Sequence, residues 1–83
     1  MGMTGLDKLR KDLQKTYERL FKKTVRIAEQ HDSLQNKLGN EHPGVKKLFW
    51  NWIAADKELQ TWRRSIPYFE PLPFKYKGRT YGK

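Results

Sequence analysis

The sequence predicts an all-α fold: an antiparallel two-helix hairpin, with a long helix over about residues 4–38 and a second over about 43–65, followed by an extended tail rich in proline, aromatic and basic residues. Three observations predict it. Apolar residues recur at heptad spacing in two separate stretches, Gly39 and Pro43 punctuate the gap between them, and Pro67, Pro71 and Pro73 follow the second. The chain therefore divides into a helical hairpin over 1–66 and a tail over 67–83.

The first helix rests on Leu6, Leu13, Leu20, Ile27 and Leu34, which recur every seven residues and keep one row on one side of a helix for roughly 40 Å at 1.5 Å per residue. The companion row reads Arg10, Tyr17, Thr24, His31 and Leu38, so only one of the two seam positions is reliably apolar. A coiled-coil helix of this kind needs a neighbour. Thr4 is a fair N-cap, and Leu38-Gly39-Asn40 places glycine where helices stop.

Pro43 suits the first turn of the second helix, where its missing N–H costs nothing, with Asn40 or His42 as the cap. Val45, Leu48, Trp52, Ala55, Leu59, Trp62 and Ile66 step by three and four alternately, a cleaner seam than the first. The short link makes the two helices antiparallel neighbours. Because the first is the longer, its first half is expected to protrude or to pack on another chain.

The prolines hold the start of the tail extended. Phe74-Lys75-Tyr76-Lys77 then alternates rings and cations with period two, which on an extended chain puts them on opposite sides, and Gly78 allows a turn.

Composition bounds the function. A chain of 83 residues is at most one domain, and it buries only about 60–65% of the surface its unfolded form exposes. It has no cysteine, hence no disulfide or thiolate zinc staple, so a homo-oligomer or a place in a larger complex is expected to supplement the core. The lack of cysteine and of any long apolar run points to a cytoplasmic or nuclear protein, neither secreted nor in a membrane. Eighteen Lys and Arg against nine Asp and Glu give a net charge of +9, which attracts phosphate-rich partners.

Two segments carry that charge in a pattern. Lys8, Lys11, Lys15, Arg19, Lys22 and Arg26 form one cationic stripe on the first helix, away from the leucine seam. An ordinary solvated face competes with this reading, since Asp7 with Lys11 and Glu18 with Lys22 are spaced as salt bridges. In the tail, Lys75, Tyr76, Lys77 and Arg79 offer cations for a backbone and a ring for unpaired bases, which favours RNA or single-stranded DNA over duplex. Arg63 and Arg64 sit well against the dipole of the second helix and adjoin the tail.

Trp50 falls opposite the seam of the second helix and needs a cover, either the tail or a protein partner, with the tail favoured. Tyr68, Phe69 and Phe74, with Leu72, are expected to fold back over the hairpin, or else to join Trp50 as partner contacts.

No catalytic arrangement emerges: His31 and His42 lack ligand spacing, and there is no glycine-rich phosphate loop, no nucleophile with a placed base, no metal set and no cofactor motif. The expected function is that of a small non-enzymatic nucleic-acid-binding protein with little sequence specificity. The alternative is an accessory subunit docking on a larger protein or ribonucleoprotein, cellular or viral, through its aromatic helix and tail. A membrane-surface role ranks last, because a heptad-wide seam suits a helix better than a bilayer.

Overall fold

The computed structural model describes residues 5–82, with side chains from Lys8 onward. The Thr4 cap, Leu6 in the seam and the Asp7 to Lys11 pair therefore lie outside the described side chains. Two helices, α1 (Gly5–Leu38) and α2 (Pro43–Ser65), are followed by two short strands, β1 (Phe74–Tyr76) and β2 (Arg79–Tyr81). The fold is mostly helical, as expected, with a small antiparallel two-stranded sheet added near the end of the chain.

The helix boundaries follow from local chemistry. After Leu38, Gly39 takes the left-handed conformation (φ 82°) and its N–H donates to the Gln35 carbonyl at 2.8 Å, satisfying one of the last free carbonyls of α1. His42 caps α2, its Nδ1 accepting from the Gly44 N–H at 3.0 Å, and Pro43 occupies the first turn. The chain leaves α2 at Ile66, whose N–H donates to the Arg63 carbonyl at 3.2 Å, immediately before Pro67.

Contacts between the helices run in opposite order along the chain. Tyr17 meets Arg63, Lys23 meets Glu58, His31 meets Trp52 and Leu34 lies beside Gly44, so α1 and α2 are antiparallel. The six seam residues within α2, and Ile66 just after it, are buried or half-buried, and apart from Gly44 every other residue of that helix is exposed. Val45, Ala55 and Leu59 are its best-buried positions, each large aliphatic side chain contributing about 1.5–3 kcal/mol by leaving water.

The tail builds the other half of the core. Residues 67–73 turn back across α1 near Leu9 and Leu13, so the part of α1 beyond the end of α2 is met by the chain's own tail. β1 and β2 then form a ribbon with Phe74 opposite Tyr81, Lys75 opposite Thr80 and Tyr76 opposite Arg79. The period-two expectation holds in β1: Phe74 and Tyr76 turn inward, Lys75 outward. Tyr17, Leu20, Leu59 and Phe74 form the buried cluster, with Phe21, Trp62, Phe69, Tyr76 and Tyr81 packed around it. Tyr68 and Leu72, expected as cover, stay 70% and 62% exposed, because the inward positions of the extended segment fall to Phe69 and Phe74.

The ribbon turns on two residues, Lys77 (φ 52°) and Gly78 (φ 78°), the pair of positive angles that matches the twist of a two-residue hairpin. A Cβ on Gly78 would meet nothing within 4 Å, so its requirement is conformational alone. Gly78→Ala is expected to cost about 1–2 kcal/mol in chemical denaturation and Gly78→Asn distinctly less, since Asn tolerates this region. Equal costs for the two would contradict the turn assignment.

Candidate nucleic-acid interface

The cationic stripe is a continuous surface. Lys8, Lys11, Lys15, Arg19 and Arg26 are exposed, and Lys22 is half-buried. Lys15, Arg19, Lys22 and Arg26 line one shallow hollow together with Glu18 and Tyr76. The two basic segments of the sequence thus meet, because the ribbon lies along α1 with Tyr76 at the edge of the stripe.

Lys22 makes the junction. Its ammonium stands 5.6 Å from the Tyr76 ring centre and 5.9 Å from that of Phe74, while Glu18 lies 3.9 Å away. Lys77 lies 5.3 Å from the Tyr76 ring and 3.2 Å from Glu29 of α1, pinning the turn to the helix. The hydrogen bond and charge of Glu29 hold the Lys77 ammonium above its ordinary pKa. Among the described residues, Lys15, Arg19 and Arg26 form no ion pair, whereas Lys22 and Lys77 do. The Glu18 to Lys22 pair anticipated from the spacing is formed.

Lys75 and Arg79 are exposed on the ribbon, Lys75 on its outward face and Arg79 across from Tyr76. Arg63 does not join the stripe: its guanidinium stands 5.7 Å from the Tyr17 ring, in a hollow shared with Phe21 and Phe69. Arg64 is exposed in the last turn of α2.

Sequence reading missed the residue that positions the tail. The Gln14 side chain donates to the Leu72 carbonyl and accepts from the Leu72 N–H, both at 3.0 Å, and its amide also donates to Glu18 at 3.0 Å. It pairs with the extended backbone as a neighbouring strand would. A glutamine amid a charged helix gives no sequence signal of this, because its partner is main chain far along the sequence.

Tyr17 sits beneath the junction at 3% exposure, and burial pushes its hydroxyl above the ordinary pKa, with Arg63 opposing the shift. In the unfolded chain a tyrosine ionises near pH 10, so above that pH the unfolded state binds fewer protons than the folded one. Stability is thus full below about pH 10 and lost as pH rises through the higher folded value. Urea melts between about pH 9 and 11.5 should show this decline, and Tyr17→Phe should flatten it relative to the other tyrosines. An identical decline in the variant would assign it elsewhere.

The aromatic end of α2 lies apart from the stripe. Trp50 is 66% exposed, touching only the Phe49 ring among the aromatics, and Ile53 beside it is exposed. The expectation that the tail covers Trp50 is corrected: the tail is committed to the Tyr17 end of α1. Phe69 meets Trp62 edge-on at 6.0 Å and Phe74 is buried, so both serve as cover. Among the described residues no helix is long and apolar enough to cross a membrane, and no three His, Asp or Glu side chains converge on a common point.

No family model, curated protein or solved structure matches this chain.

Proposed function

We propose that this is a non-enzymatic nucleic-acid-binding protein whose first helix lies on the phosphate backbone with little sequence specificity. One observation carries the reading: the exposed row Lys8, Lys11, Lys15, Arg19 and Arg26 on a single rigid helix, joined at Lys22 and Tyr76 by the basic ribbon. The net charge of +9 supplies the long-range attraction. Four to six neutralised phosphates predict a log–log salt slope of about −3.6 to −5.4, so affinity falls about 10²- to 10³-fold between 50 and 200 mM salt. Fluorescence anisotropy with labelled oligonucleotides measures this. Absence of binding at about 50 mM salt, or a flat salt response, sinks the reading.

The exposure of Trp50, Ile53 and Phe49 favours a second reading, in which the α2 face docks a second copy or a larger protein. Under it, sedimentation equilibrium at tens of micromolar shows self-association that Trp50→Ser removes without changing the far-ultraviolet circular dichroism. A monomer at all concentrations excludes the self-docking form.

A further inference from the structure

We infer that the nucleic acid this face fits is a duplex, held from outside along its backbone; the inference rests on the nucleic-acid reading above and specifies its ligand. Proteins that hold single strands combine a basic groove with rings whose free faces stack on unpaired bases. The rings beside this stripe are already occupied. Phe74 is 8% exposed, stacks on Tyr81 at 6.0 Å and meets Phe21 edge-on at 5.3 Å. Tyr76 lies within 5.6 Å of the Lys22 ammonium and 5.3 Å of the Lys77 ammonium, with Tyr81 beside it at 6.3 Å. The freely exposed rings lie elsewhere, Tyr68 in the groove with Leu9 and Leu13, and Trp50 beside Phe49 on α2.

What remains at the stripe is charge alone, and charge density decides between the strand forms. From Lys8 to Arg26 the stripe runs about 27 Å by helical rise. Over that length a duplex presents about 16 phosphate charges at one per 1.7 Å of axis, twice what either of its strands contributes. The counterion slope is about −0.9 per neutralised phosphate on duplex and −0.7 on single strand. For five contacts the difference of 0.2 per contact amounts to about one unit of slope, or tenfold in affinity at 0.1 M salt.

Shape sets how the duplex is held. The molecule measures 55 × 28 × 18 Å. α1 is flanked by α2 and by the ribbon, so it lies across the backbone rather than entering between the bases. Readout of base edges is then absent, and recognition is neutral to sequence.

The test compares one 20-nucleotide sequence as single-stranded DNA, single-stranded RNA, duplex DNA and duplex RNA, by anisotropy at about 50, 100 and 200 mM salt. The expected result is at least about tenfold tighter binding of a duplex than of either single strand at 100 mM, with the steeper slope on duplex, and affinities within about twofold when the duplex sequence is scrambled. Single strands bound as tightly as duplex overturn the inference and leave the nucleic-acid reading standing. No binding of any of the four at 50 mM overturns both.

Discussion

Phe74→Ala is expected to lower the midpoint of thermal unfolding by about 15–30 °C, more than any change on the helix surfaces. The phenyl ring is wedged between α1 and the ribbon, edge-on to Tyr17 at 5.9 Å and to Phe21 at 5.3 Å, and stacked on Tyr81. Truncating a buried phenylalanine costs about 3–5 kcal/mol, because lost burial and a residual cavity add. For a domain of 60–100 residues each kcal/mol moves the midpoint by about 4–8 °C. The remaining residues cannot close the gap easily, since Tyr17 and Leu20 are held on α1 and Leu59 on α2. Circular dichroism at 222 nm follows the melt. A shift below about 5 °C would mean that the two helices are stable without the ribbon, and the tail would then be an appendage rather than half of the core.

The second large effect is on binding. Lys15→Ala, Arg19→Ala and Arg26→Ala in one chain should reduce the magnitude of the salt slope on nucleic acid by about 2.7 and weaken binding roughly 10²- to 10³-fold at 0.1 M salt. Arg19 and Arg26 form no ion pair and no hydrogen bond within the described structure, and all three side chains are solvent-exposed. Their removal should therefore leave the melting midpoint within a few degrees of the parent. Net charge falls in the same step, so the matched comparison is Lys37→Ala, Lys46→Ala and Lys47→Ala, which removes equal charge from the end of the molecule where α1 turns into α2. If the two triple variants weaken binding equally, the attraction is a property of the whole charge and the stripe is not a site.

The elements that were legible in the sequence are those governed by local rules. Gly39, Pro43 and Pro67 mark helix ends through backbone conformation and missing donors, and the structure places the helix boundaries beside them. The α2 seam was legible because its positions step by three and four without a break and all are buried or half-buried, although Trp62 also meets Phe69 of the tail. The α1 seam was only half legible: Tyr17, at the weaker companion position, is among the most buried residues, and Phe21 lies outside both rows. Tyr17 faces both the tail and α2 while Phe21 faces the tail, and a heptad pattern describes one partner, not two. The ribbon was legible in part: the alternation from Phe74 to Lys77 and the Gly78 turn were visible, but the three residues of β2 are too few to mark a second strand, and Lys77-Gly78 is a weaker turn signal than Asn-Gly. As for the candidate site, the stripe was visible as a helical row, whereas its junction with Tyr76 depends on the Gln14 clamp and on the Lys77 to Glu29 bond, both between residues remote in sequence.

That remoteness has a consequence for synthesis. Tyr17 and Phe21 are made more than fifty residues before Phe74 and Tyr81, the side chains that cover them. Until then the nascent polypeptide carries an open aromatic surface flanked by the full row of cations, with no ribbon beside it. A ribosome stalled before residue 74 would accordingly hold a chain that is helical but unfinished, and a protease that trims the ribbon from the mature protein would return it to the same vulnerable state.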